Sequence, residues 1–379
     1  PGGRPPFRRT RRISGGGSSD LGHFFTAAGG GYMPGGYFRQ SKERVREYGS
    51  GILMSSQTDR CGRMIAIIHR EESTLKKSVI ITGASSGLGL ATTRELAAAG
   101  SHVIMACRSV PKGEAAAAEI RAAIPDASLE VVELDLSALS SVRAGAREIL
   151  AKSDRPPLHV LICNAGIQVV NGVQRSSDGY ELTFATNHLG HFLLTQLLVD
   201  HIVEPGRVIL VSSEVHQGPR KSMGFPAPRW EDPQALVDPD RSVLGDSAKS
   251  GRIRYATSKL ANLYATYELA RRVVPREITV NAFDPGLMPG TSLDRDWPPR
   301  IQRVYAQLTP LLVKTLPGAR SVEQSSADLA WLATAPEPAG TTGAYFSGRQ
   351  PRESSKESHD RTRAAELWTA SERLVAAHG

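Results

Sequence analysis

Hydrophobic and polar positions divide the chain into two unlike parts. Residues 1 to about 73 show no sustained period of 2 or 3.6, only glycine runs (Gly15-Gly16-Gly17, Gly29-Gly30-Gly31) and a cluster of arginines. This stretch is expected to be disordered. From Lys76 onward, apolar runs of strand length recur at 78–82, 102–106, 129–134, 159–163, 207–211 and 278–283. Helical stretches such as 88–99 and 142–150 lie between them. Strands without polar alternation, separated by helices, indicate a parallel sheet covered on both faces. The expected fold class is therefore α/β, a doubly wound parallel sheet in a single domain over residues 74–379. Two irregular stretches, at about 218–251 and 285–300, interrupt the rhythm just after strands. Long irregular segments at that edge of an open sheet are expected to be substrate loops.

The first strand runs into Thr82-Gly83-Ala84-Ser85-Ser86-Gly87-Leu88-Gly89, and a helix follows at once. Glycines where the backbone turns tightly, followed by a helix N-terminus with free N–H groups, suit the pyrophosphate of a dinucleotide in a Rossmann-type site. The end of the second strand reads Met105-Ala106-Cys107-Arg108-Ser109, with no carboxylate to hold a ribose 2′-hydroxyl. Arg108, a planar and permanently charged donor, is expected to pair with a 2′-phosphate, which selects NADP(H); the bland reading is a solvated loop cation. Lys112 either assists or is surface. After the third strand, Asp135-Leu136 offers a carboxylate to the adenine amino group, or a cap for the helix starting near Leu139. The fourth strand ends in Asn164-Ala165-Gly166, small residues beside the cofactor, with Asn164 either a contact or a turn residue.

Charge and cysteine content narrow the function classes. The net charge is +8, but residues 1–50 hold nine Lys/Arg against three acids, so the remaining 329 residues are close to neutral. A nucleic-acid partner is therefore not expected for the folded part. The basic segment reads as a transit peptide, as an arm for an anionic partner, or as residues upstream of a natural start at Met54 or Met64, the last being favoured. No run approaches the roughly 18–20 apolar residues of a membrane-spanning helix. Cys61, Cys107 and Cys163 have neither pairing nor metal-ligand spacing, which points to a reducing, cytoplasmic setting and no metal site.

Downstream, Tyr255-Ala256-Thr257-Ser258-Lys259 places a phenol and an ammonium at i and i+4 on one helix face. A nearby cation can lower a phenol pKa from about 10. The pair lies after a strand ending Val211-Ser212-Ser213 and before an Asp284-Pro285-Gly286 turn. Together these motifs, in order, resemble the short-chain dehydrogenase/reductase family over roughly residues 76–348. The resemblance implies a tetrad of Asn187, Ser213, Tyr255 and Lys259. In it Tyr255 exchanges the proton, Ser213 holds the substrate oxygen, Lys259 activates the tyrosine and binds the nicotinamide ribose, and Asn187 supports a proton-relay water. His188 and His191 beside Asn187 are expected to pack. Pro285 and Gly286 match the family's P-G turn near the cofactor.

Within the family, the wording resembles a branch with retinol dehydrogenase-like enzymes and light-dependent protochlorophyllide reductases. The latter carry cysteines where this chain has Ala261 and Leu287, which argues against photochemistry. The expected activity is hydride transfer between NADP(H) and a carbonyl or alcohol of a lipophilic small molecule. The alternatives are the light-dependent reductase and a catalytically silent NADP-binding sensor or scaffold. A homo-oligomer is possible through the helix of Tyr255, a dimer surface in many relatives.

Overall fold

In a computed structural model of the chain, the residues described are 76–288 and 318–378. The expectations for residues 1–73, for Met54, Met64 and Cys61, and for the second loop beyond Met288 lie outside them. The apolar runs become β1 (Ser78–Thr82), β2 (His102–Cys107), β3 (Ser128–Glu133), β4 (Leu158–Cys163), β5 (Gly206–Val211) and β6 (Ile278–Asp284). Between the first four lie α1 (Gly87–Ala98), α2 (Val110–Ala123) and α3 (Leu139–Ala151). A helical run then passes through a π-helical turn, Ala185–Leu189, into α4 (Gly190–Leu198). The later helices are α5 (Pro233–Val237), α6 (Ala248–Arg272), α7 (Val322–Thr334) and α8 (Arg361–Ala376), with short strands β7 (Tyr345–Ser347) and β8 (Gln350–Arg352) before α8.

The sheet order is β3-β2-β1-β4-β5-β6-β7-β8, with every neighbour parallel except the final antiparallel pair. Strand order reverses between β1 and β4, and open sheets of this kind bind ligands in the crevice at that point. Side chains alternate across the pleat: Ile80, Ile104 and Leu161 face the core under α3, α4, α6 and α8. Val79, Ile81, Met105 and Ile162 face the second core, under α1, α2 and α7. Burial on both faces explains why the strands read as unbroken apolar runs.

Three features depart from the sequence reading. The strands β7 and β8 were not expected; they are three residues each, and β8 is exposed and antiparallel. The stretch 218–251 is not irregular throughout, since Asp232 caps α5 by accepting from the Gln234 N–H and α6 begins at Ala248. Asp135 does not cap α3. Its carboxylate accepts from the Ser137 N–H and hydroxyl at 2.9 and 2.6 Å, while the Leu139 N–H goes to Asp178 at 2.9 Å. Asp178 is 39 residues away, so nothing local in the sequence marks it.

The face of α6 is occupied within the single chain. Residues 254–270 are all buried, and α8 packs along them. Trp368 of α8 meets Phe192 edge-to-face at 4.9 Å, and the Arg272 guanidinium sits 4.5 Å over its indole. That stretch of α6 is covered within the single chain. Trp368→Ala is expected to cost about 3–5 kcal/mol through the cavity it leaves, read as a lower urea midpoint. Among the described residues no helix is long and apolar enough to cross a membrane.

Candidate active site

The end of β1 is built around the Thr82 hydroxyl. It accepts from the backbone N–H groups of Asn164 and Ala165, both at 2.9 Å, and lies 2.8 Å from His191 Nε2. The other ring nitrogen of His191 lies 3.1 Å from the Asn187 carbonyl. Burial holds the His191 pKa down at about 4, so the ring is neutral, donating to the carbonyl and accepting from Thr82. His188, buried and depressed to about 3, bonds Ser371 of α8 at 3.0 Å. Both histidines hold elements together.

Gly89 lies where α1 crosses this junction. A Cβ there would fall 2.3 Å from the Gly83 carbonyl oxygen and 2.7 Å from Asn164 Nδ2. Asn164 Nδ2 is itself committed to the Thr82 carbonyl at 2.8 Å. Ser86, at the N-cap of α1, makes no side-chain bond to the first turn, which leaves those N–H groups facing the crevice unclaimed by the cap. Arg108, at the end of β2, is exposed and has no ion pair among the described residues.

One cavity of about 740 Å³ connects these features. At one end it is lined by Gly83, Ser85, Ser86, Gly87, Leu88 and Gly89, with Arg108 and Lys112 beside them. Its middle is walled by Asp135, Leu136, Asn164, Ala165 and Gly166. At the far end stand Ser213, Tyr255, Lys259, Pro285 and Gly286. Of the residues assigned from the sequence to the cofactor or the tetrad, only Asn187 is absent from the wall.

Asn187 is fully buried behind that wall. Its Oδ1 accepts from the Ile167 N–H at 2.8 Å, and its Nδ2 donates to the Ile167 carbonyl and the Ser258 hydroxyl, both at 2.9 Å. Its own carbonyl is taken by His191. Asn187 thus clamps the segment after β4 onto α6.

Tyr255 and Lys259 lie one turn apart on α6, with the ammonium 5.6 Å from the centre of the phenol ring. Ser212 fixes this part of the helix by donating to the Lys259 carbonyl at 2.9 Å. The Lys259 ammonium donates to the Val211 carbonyl at 3.1 Å, and burial lowers its pKa to about 8 against an opposing pull from Asp284. The phenol moves opposite to expectation: burial raises it, and the negative charge of Asp284 raises it further. Desolvation of an anionic phenolate outweighs a cation that is bonded elsewhere. Ser213 caps the turn Glu214–Gln217, its hydroxyl accepting from the Val215 N–H at 3.4 Å.

Several wall residues escaped the sequence reading. Phe225 stands edge-on to Tyr255 at 6.0 Å, and Val170, Val215, Met223, Leu287 and Met288 complete an apolar lining at the reaction end. Phe225 and Met223 lie in a stretch without periodicity, so no pattern marked them. Glu214 also lines the cavity, and burial, reinforced by Asp284, pushes its carboxyl up to about 7. Asp284 had counted only as part of a turn.

A dinucleotide-binding crevice joined to a Ser-Tyr-Lys cluster defines an oxidoreductase of the short-chain dehydrogenase type, and residues 77–225 match the family model described as short chain dehydrogenase. The chain belongs to the short-chain dehydrogenase/reductase family, whose members use a nicotinamide cofactor, in a branch like the retinol dehydrogenases. The WW domain-containing oxidoreductase of Danio rerio is 38% identical over 319 residues, 82% of this chain and 71% of that one. Human retinol dehydrogenase 14 is 36% identical over 321 residues, 79% of this chain and 86% of that one. A crystal structure of an uncharacterized protein from Mycobacterium paratuberculosis superposes with a TM-score of 0.58 at 32% identity, covering 80% of this chain and 96% of that chain.

Proposed function

We propose that the chain reduces a carbonyl group of a lipophilic small molecule with NADPH, reversibly. The observation that carries this reading is the single cavity joining the α1 turn, Arg108 and the Tyr255–Lys259 pair. The residues present fit the cofactor. The close approach at Gly89 leaves room for backbone but not for a side chain, the first turn of α1 offers N–H groups to a pyrophosphate, and Arg108 offers a fork to a 2′-phosphate.

When bound, the cofactor supplies the hydride that reaches the carbonyl carbon. The chain's own residues manage the oxygen. Ser213 donates to it, and Tyr255 transfers its phenolic proton to it as negative charge develops. The raised pKa of Tyr255 keeps the phenol protonated at neutral pH, which suits donation and hence reduction. Lys259 holds positive charge one turn away. The apolar lining from Val170, Val215, Met223, Phe225 and Leu287 excludes water and favours a lipophilic substrate.

Cofactor choice is the first part to test. A charge-assisted bond to the 2′-phosphate is worth about 1.5–3 kcal/mol, so Arg108→Ala is expected to weaken NADPH binding by about 10- to 100-fold. NADH binding should stay within about twofold, because Arg108 has no other partner to lose. Fluorescence titration of both cofactors on both proteins decides this; equal losses for NADPH and NADH would contradict the role of Arg108.

A further inference from the structure

The reaction end of the cavity opens between three segments. From α6, Arg252, Tyr255 and Lys259 all line it, and their spacing of i, i+3 and i+7 puts them on one helical face. Exposure rises along that face: Lys259 is 3% exposed, Tyr255 is 7% exposed, and Arg252 is exposed to solvent. The N-terminal end of α6 is therefore the mouth. Side chains of a helix lean toward its N-terminus, so Arg252 projects outward from a Cα about 4.5 Å further along the axis than that of Tyr255. The segment after β4 forms the second side. It crosses α6 at Gly251, where a Cβ would fall 2.3 Å from the Val169 carbonyl oxygen and 2.5 Å from that of Val170, and this contact fixes which face of α6 meets the cavity.

The third side is the loop after Gly218. The buried Ser222 donates its hydroxyl to the Gly218 carbonyl at 2.8 Å, and the N–H groups of Lys221 and Ser222 bond the same carbonyl at 3.1 Å. The Gly224 N–H bonds the Pro219 carbonyl at 2.9 Å. These bonds hold Met223 at a φ of 51°, a left-handed conformation strained for any residue with a side chain. Strain of this kind persists only where surrounding contacts impose it, and it gathers at ligand sites. The Met223 side chain stands 59% exposed on the cavity wall, and with Phe225 and Val170 it gives the mouth an apolar rim.

Charge at this rim is unbalanced. The cations on the wall are Arg108 and Lys112 at the dinucleotide end, Lys259, whose ammonium is bonded to the Val211 carbonyl, and Arg252. Arg254, two residues on, is buried and spent on the Leu244 and Gly245 carbonyls at 2.8 and 2.6 Å. Arg252 makes no ion pair and no side-chain hydrogen bond among the described residues. The acids on the wall are Asp135, in the middle of the cavity, and Glu214, beside Ser213. The mouth thus presents one uncommitted guanidinium next to apolar surface.

We propose that Arg252 selects the substrate: the site takes an amphipathic oxo acid whose carboxylate, several bonds from the carbonyl, pairs with the Arg252 guanidinium while its apolar middle lies against Val170, Met223 and Phe225. The proposal deepens the carbonyl-reductase reading and rests on it, since Tyr255 marks the reacting carbonyl. The planar fork of an arginine matches a carboxylate in a bidentate pair. Its exposure leaves the guanidinium hydrated before the substrate arrives and makes the attraction sensitive to salt. Arg252 sets specificity, and the proton step stays with Tyr255.

The probes that test this are 8-oxooctanoate and its methyl ester, alike in carbonyl and chain and different in one charge. With NADPH, kcat/KM is expected to favour the acid by about tenfold at low ionic strength, the difference lying in KM. The preference should vanish in Arg252→Gln, survive in part in Arg252→Lys and shrink in high salt. It should persist in Lys249→Gln, which removes an exposed cation one turn further out that is not on the wall. A second readout needs no turnover: calorimetric titration of the free and the NADPH-loaded protein with 8-hydroxyoctanoate and its methyl ester, where the same preference and the same loss in Arg252→Gln are expected. Failure of the acid to bind, equal constants for acid and ester, a preference that survives Arg252→Gln, or one lost equally in Lys249→Gln overturns the proposal. A preference in binding that depends on Arg252, in a protein that reduces neither aldehyde, upholds the carboxylate subsite and sinks only the reductase reading.

Discussion

Tyr255→Phe is expected to lower NADPH-driven carbonyl reduction by about 10²- to 10⁴-fold, the usual contribution of a positioned proton donor. NADPH affinity should stay within about twofold, because the deleted atom makes no hydrogen bond to the described residues and the ring keeps its contact with Phe225. Single-turnover oxidation of NADPH and a fluorescence titration on the same variant separate the two effects. Turnover within about tenfold of the parent would remove Tyr255 from the proton step. Loss of NADPH binding would instead make it a cofactor contact.

Gly89→Ala is expected to damage both cofactor binding and stability. The added Cβ meets a backbone carbonyl at 2.3 Å, and the neighbouring Asn164 amide cannot swing away without releasing the Thr82 carbonyl. Relief requires α1 to back away from the junction of β1 and β4. Overpacking of this kind costs about 1–3 kcal/mol, and the displaced α1 terminus no longer faces the pyrophosphate. NADPH binding should weaken by about 100-fold or more, with a lower urea midpoint. Gly87→Ala is the natural comparison: nothing lies within 4 Å of its Cβ position, and only its positive φ of 54° opposes substitution. Its cost is about 1–2 kcal/mol of backbone strain without collision.

The sheet was legible because both of its faces are buried. Val79 and Ile81 serve one core and Ile80 the other, so the inner positions of β1, β2, β4 and β5 form unbroken apolar runs that stand out against helical stretches. By contrast, β7 is only three residues long and shows no period, and β8 owes its place to pairing with β7 alone. The Gly-rich turn and the Tyr255–Lys259 pair were legible for a local reason: each is set by one turn of chain.

What the sequence hid arises from distance or from burial. Asp178 caps α3 from 39 residues away, and Asp284 meets Glu214 across 70 residues through strand register. The π-helical turn carries Asn187 behind the cavity wall, where spacing along an ordinary helix gives no hint of it. Burial reverses the expected effect on Tyr255, since one lysine bonded to a backbone carbonyl does not offset the desolvation of a phenolate. The lining residues Phe225 and Met223 sit in a loop whose course only the folded chain reveals.

The most direct test of the central claim is the initial rate of cofactor oxidation by the full chain in the dark, with NADPH or NADH and with decanal and retinal as acceptors. The account predicts dark turnover of at least one acceptor, with kcat/KM at least about tenfold higher with NADPH than with NADH, in line with one charge-assisted bond. Failure of either cofactor to bind or be oxidised with both acceptors would contradict it.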